Sequence, residues 1–247
     1  MTAEGTTLLL ATFGMEVVEC GGALALNARR GGRSEAAVLL SRAESRPQVE
    51  RAAGILSTKA RFLDGRYGEI EPSVELKQRI AGVIREVRPD IVITQDPDHS
   101  FHDLDPDRRP AMILYLEALA LAGRDWMIAE CGGWPPHTVP AIYYLTPEHP
   151  NCVLDVTPVW DLKERAMTEL GSQMAFSGQV YRDRFREALG TILPDHARMD
   201  DATLGRAVHR ETDRAFHLYH GIAGHGRFVL AEPYRREGGF QLTSLMP

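Results

Sequence analysis

The stretch Thr7-Leu8-Leu9-Leu10-Ala11-Thr12-Phe13-Gly14-Met15-Glu16-Val17-Val18-Glu19-Cys20-Gly21-Gly22 decides the fold class. Thr7 to Ala11 is a short apolar run that reads as a buried strand. Thr12 to Cys20 then turns the chain, and Gly21-Gly22 opens a helix that runs through Arg30. Gly31-Gly32 ends that helix at the position glycine usually takes after a helix C-terminus. A strand that feeds a helix through a polar turn starts a βαβ unit, and loops at such strand ends are where open α/β sheets hold ligands.

The same alternation continues outward. Ala36 to Leu40, Arg61 to Leu63 and Ile91 to Thr94 are strand-like, and each precedes an amphipathic stretch. Val74, Ile80, Val83, Ile84 and Val87 fall close to one helical stripe over Val74 to Val87, and Pro89 stops that helix before a strand from Asp90 to Gln95. Ala111 to Ala122 reads as a further helix. Ile142 to Leu145 and Val153 to Val156, separated by Pro147 and Pro150, read as later strands with an antiparallel relation. From Leu162 to Phe216 the pattern is polar and helical, interrupted at Gly171, Gly178 and Pro194, so a helical C-terminal region is expected over about 160–225. The expected fold class is α/β, a Rossmann-like, mostly parallel sheet flanked by helices, in a single domain over 1–247.

The 247 residues are 44% hydrophobic and 25% charged, ordinary values for a chain that buries one core. A net charge of −6 offers no broad attraction to nucleic acid or to an anionic membrane, so neither is expected as a partner. Cys20, Cys131 and Cys152 are widely spaced with no CxxC, which supports neither a disulfide framework nor a cysteine zinc knuckle. Met1-Thr2-Ala3-Glu4 leads into an apolar run too short for a signal segment or a membrane span. A cytoplasmic setting is the expectation.

The order of these features resembles the PIG-L/LmbE-like N-deacetylases. In that family a His-Pro-Asp-Asp-Glu motif follows the first strand, a Gly-Gly helix follows the motif, and His-Pro-Asp-His follows a later strand. Here the first motif position reads Thr12-Phe13-Gly14-Met15-Glu16, with the family spacing to Gly21-Gly22, and the second reads Asp105-Pro106-Asp107-Arg108 after Ile91-Val92-Ile93-Thr94. Arg88-Pro89-Asp90, Val153-Leu154-Asp155-Val156-Thr157, Lys163, Ser172-Gln173 and Ala231-Glu232-Pro233-Tyr234-Arg235 are further similarities spread over the chain. The resemblance implies the family fold, and it places Thr12, Met15 and Arg108 where relatives hold zinc and Gly14 where they carry the general base. A hydroxyl is a weak zinc donor, a thioether a poor one, and a guanidinium has no lone pair to give. The resemblance therefore implies a site without the family's metal and without its base, and no cofactor is predicted.

Pocket candidates are Thr12, Gly14, Met15, Glu16, His102, Asp103, Asp105, Asp107 and Arg108. Arg108 either anchors a substrate carboxylate or phosphate, or closes the abandoned cavity through an internal ion pair with Glu16, Asp105 or Asp107. Glu16, His99, His102 and Asp103 are the candidates for a relocated site for zinc or another divalent metal, weighed against a solvated surface loop. His209, Asp213 and His217 share one helix face with His220 beside it, as a metal site, an oligomer contact or, as the preferred reading, a solvated face. Trp134, in the Gly/Pro loop Cys131 to His137, is a candidate lid over a pocket, with packing on the core as the alternative. Cys20 stands near a helix N-terminus but has no identifiable base, so nucleophilic catalysis is not expected of it.

Three functions compete. The first is a repurposed relative that binds a small polar metabolite in the former deacetylase cleft without zinc-dependent hydrolysis, either as a metal-independent enzyme or as an inactive homologue. The second is an active N-acyl amide hydrolase with a relocated metal. The third is a structural partner of an active relative, and the family resemblance adds an expected homo-oligomer.

Overall fold

The computed structural model describes residues 5–239 except residue 186; the reading of Met1 to Glu4 lies outside the described residues. Strand β1 (Thr6–Phe13) passes through a short helix α1 (Glu16–Glu19) into α2 (Gly21–Arg29) and then β2 (Arg33–Leu40). Helix α3 (Arg46–Ile55), β3 (Thr58–Gly65), α4 (Val74–Val87) and β4 (Ile91–Gln95) follow, then α5 (Pro97–His102), α6 (Arg108–Ala122), β5 (Ala141–Leu145) and β6 (Cys152–Asp155). The C-terminal part holds α7 (Trp160–Glu169), α8 (Gly171–Phe185), α9 (Leu189–Ile192) and α10 (Asp201–His220), and closes on β7 (Ala231–Arg236).

The seven strands form one sheet in the order β3-β2-β1-β4-β5-β7-β6. β1 is parallel to β2 and β4, β2 to β3, and β4 to β5. β7 runs antiparallel to both β5 and β6. The two late strands expected to be antiparallel, β5 and β6, instead run the same way, because β7 lies between them and is antiparallel to both, and β5 is parallel to β4 because the long α6 connection returns the chain to the starting edge. β7 was not foreseen as a strand, since Pro233 within it reads as a strand breaker.

β1 shows why the sheet is buried on both sides. Its residues alternate, so Leu9 and Ala11 join the apolar layer with α2, α3 and α7, while Leu8 and Leu10 join the layer with α4 and α6. α4 starts at Ser73, whose hydroxyl accepts the Leu76 N–H at 3.2 Å, and ends at Arg88 in the left-handed region, immediately before Pro89. α6 begins at Arg108, earlier than the periodicity suggested. Pro110 falls in its first turn, where a backbone N–H has no helical partner to lose.

The chain leaves β1 for β2 and β3 on one side, then crosses to β4 on the other. This reversal opens a crevice at the carboxyl ends of β1 and β4, the usual ligand position in open α/β sheets. Among the described residues no helix is long and apolar enough to cross a membrane.

Candidate functional site

Two turns meet at that crevice. One leaves β1 through Phe13, Gly14 and Met15; the other connects β4 to α6 through Asp103, Asp105 and Arg108. With Glu19, with Ser172 and Phe176 of α8, and with His209 of α10, they line a cavity of about 620 Å³.

Its floor is an ion pair. Glu16 is fully buried and bends back so that Oε2 accepts the Thr12 N–H at 2.7 Å, while Oε1 accepts Arg108 Nη1–H at 2.8 Å. Arg108 Nε reaches Asp103 Oδ2 at 3.0 Å, and the guanidinium lies over the Phe13 ring at 5.1 Å. Gln95 ties the two turns together: its Oε1 accepts the Thr12 hydroxyl at 2.9 Å and its Nε2 donates to the Arg108 carbonyl at 2.6 Å. Burial raises the Glu16 carboxyl to about 7 against the pull of Arg108 and the Thr12 amide. For Arg108 burial acts downward, and Glu16, Glu19 and Asp103 outweigh it, so the guanidinium is held above its usual value.

Thr12 and Glu16 lie beneath the cavity and do not line it, whereas Gly14, Met15, Asp103, Asp105 and Arg108 line it. Asp107 does not turn toward the cleft. Its carboxylate accepts the Gly68 N–H at 2.8 and 3.0 Å and braces the loop between β3 and α4. Asp105 accepts the Asp107 N–H at 2.9 Å, a local turn bond. His102 is exposed beside Phe101 and outside the cavity lining, because the segment read as a loop forms α5, capped by Asp96 on the His99 N–H, and α5 turns His102 outward.

Zinc fits poorly at the positions that the resemblance assigns to its ligands. The Thr12 hydroxyl is already donated to Gln95, Met15 offers a thioether, and the Arg108 cation is held by Glu16 and Asp103. The alternative set is not assembled either: His99 stands 3.6 Å from Asp103, but Arg108 bonds both Glu16 and Asp103, and His102 points away. Among the described residues no three His, Cys, Asp or Glu side chains form a metal-binding group.

Behind α1 lies a second charged cluster that sequence reasoning missed. The fully buried Lys163 ammonium donates to the Val18 carbonyl at 2.7 Å and stands 3.4 Å from Glu232 Oε2. Glu232 accepts the Gly22 and Ala23 N–H groups at 3.0 Å each, together with the Tyr234 hydroxyl, and so caps α2 from β7. His217, 1% exposed, completes the cluster with Asp213 at 3.4 Å. The face expected to be solvated is therefore partly core: His217 is buried there, while His209 reaches the cavity and hydrogen-bonds Ser177 at 3.1 Å. His220 stands against Phe216, with ring centroids 4.8 Å apart. The Lys163–Glu232 spacing gave no local signal of this network, although both residues fall in segments that carried the family resemblance.

Trp134 is no lid. It is exposed outside the cavity lining, in a loop that precedes β5 and is held by His137, whose N–H donates to the Ala122 carbonyl at 2.8 Å and whose ring lies 2.8 Å from the Pro89 carbonyl. Cys20 is buried, donates to the Glu16 carbonyl, and burial pushes its thiol well up, as suits a packing residue.

The architecture matches solved structures along almost its whole length. The 4-carboxy-2-hydroxymuconate hydratase GalB from Pseudomonas putida KT2440 superposes with a TM-score of 0.67 at 21% identity, covering 98% of this chain and 100% of that one. An N,N'-diacetylchitobiose deacetylase from Pyrococcus horikoshii superposes with a TM-score of 0.68 at 17% identity, covering 94% and 83%. In sequence, a diacetylchitobiose deacetylase from Thermococcus kodakarensis is 34% identical over 132 residues. The chain shares the fold of these proteins. The match covers 51% of this chain and 48% of the curated relative, so the chain spans about half the length of that protein. No family model matches. The same fold thus carries a hydratase as well as a deacetylase.

Proposed function

We propose that this chain binds a small polar metabolite in the cavity at the carboxyl ends of β1 and β4 and does not use the zinc-activated water of the deacetylases it resembles. The reading covers a metal-independent enzyme and an inactive binding homologue. The observation that carries it is the Arg108 guanidinium bonded at once to Glu16 and Asp103, a fixed organic cation at the point where the resemblance would place a metal ligand. The aligned base is absent as well: Gly14 carries no side chain, and a Cβ there would meet Val49 Cγ2 at 2.5 Å.

The test is acetate release from N,N'-diacetylchitobiose, the sugar named for the relatives, with added zinc and with a chelator. No zinc-dependent release is expected. Chelator-sensitive release that Glu16→Ala or His102→Ala abolishes would replace this reading with the relocated-metal hydrolase. Chelator-insensitive turnover of any metabolite, lost in Asp103→Asn but not in a distant surface variant, identifies the metal-independent enzyme.

A further inference from the structure

The cavity's own chemistry narrows the ligand class. Two guanidinium groups, Arg42 and Arg108, face it, against four carboxyl groups, Glu19, Glu44, Asp103 and Asp105. The buried cation is committed, since Arg108 is bonded to Glu16 and Asp103, and Arg42 stands exposed over Tyr67 at 5.6 Å. Glu19 is in the opposite condition. It is partly buried on the cavity wall, and its carboxyl makes no hydrogen bond or ion pair with the described residues. Phe13 and Tyr67, stacked at 6.1 Å, supply an aromatic wall, and Ser172 and Gln173 supply neutral hydrogen-bonding groups.

We propose that the cavity takes a small hydroxylated ligand carrying an ammonium group, with the ammonium seated against the Glu19 carboxylate and the carbon skeleton along Phe13 and Tyr67. This rests on the metabolite-binding reading of the same cavity and specifies the charge it selects. Burial holds the Glu19 carboxyl above its ordinary range, against the pull of Arg108 and Lys163, so its ionised form gains most from a cation brought into the cavity. An anionic ligand would meet an excess of carboxylates, and the guanidinium at the floor already has two of its own.

Three probes of matched skeleton separate the alternatives: glucamine with an ammonium, sorbitol with a neutral end and gluconate with a carboxylate. Calorimetric titration of the full chain is expected to show glucamine binding about tenfold more tightly than sorbitol, and gluconate most weakly. Glu19→Gln is expected to bring glucamine to the level of sorbitol, with sorbitol still bound by the folded variant. Asp105→Asn, which keeps its turn acceptor, gives a second, smaller loss for glucamine alone. Equal binding of the three, or gluconate binding best, overturns the ammonium assignment and leaves the cavity reading intact. No binding of any of the three overturns both.

Discussion

Arg108 gains its position from the first turn of α6, where a long side chain can reach back across the crevice to Glu16. Without Arg108 the buried Glu16 carboxyl keeps its proton to higher pH, so Arg108→Met is expected to lower the urea unfolding midpoint little at pH 5 and more above pH 7. The Glu16 carboxyl, raised from 4.5 to about 7, sets a pH signature. A carboxyl raised in the folded state favours folding fully below its unfolded value, and that contribution is lost as pH rises through the folded value. Wild-type stability measured against Glu16→Gln is therefore expected to fall between pH 4.5 and about 7. A difference independent of pH would show that Glu16 does not titrate there. Restoring the four family side chains together, as Thr12→His, Gly14→Asp, Met15→Asp and Arg108→His, is expected to fail as a zinc site unless Val49→Ala also clears the contact at Gly14. Zinc titration of the two variants checks this.

The elements whose register is written locally were legible in the sequence. β1, the Gly-Gly helix α2, the amphipathic α4 with its Pro89 stop, and β4 lie within a residue or two of their expected limits. α5 was read as a loop because its acidic and proline residues also suit turns, and β7 was missed because Pro233 masks it. The link between them and the site is long-range: Glu232 of β7 caps α2 through Gly22, at a sequence separation of 210. No local pattern encodes that contact. A Cβ on Gly22 would stand 2.6 Å from Glu232 Oε2 and 2.3 Å from Val156 Cγ1, so Gly22→Ala is expected to displace the cap and lower the unfolding temperature. Burial alone would raise the Glu232 carboxyl; Lys163, His217 and Tyr234 outweigh it and hold it at about 2. A lowered carboxyl contributes stability above its unfolded value of 4.5 that is lost as pH falls through the folded one. The acid limb of wild-type unfolding between pH 4.5 and about 2 is expected to flatten in Glu232→Gln, whose overall stability is lower because Lys163 loses a partner.

At the scale of the whole molecule, the sheet order places the crevice where β1 and β4 diverge, and any chain with this topology presents its β1 turn and its β4–α6 connection to the same cavity. The site's location could therefore be read from strand order and motif spacing. Its composition could be read only in part: Arg108 and Asp105 were recognised, Asp107 proved to be a brace, and Glu19 drew no notice because a single acidic residue on a short helix has no pattern of its own. The fold fixes where a ligand sits and leaves the chemistry to a few side chains. The decisive measurement is the zinc content of the purified, zinc-replete protein by elemental analysis, with Arg108→His alongside. Well under one zinc per chain is expected in both, since a single imidazole cannot complete the shell. One tightly held zinc per wild-type chain, lost on Glu16→Ala or Asp103→Ala, would contradict the placement of Arg108 as the cation of this site.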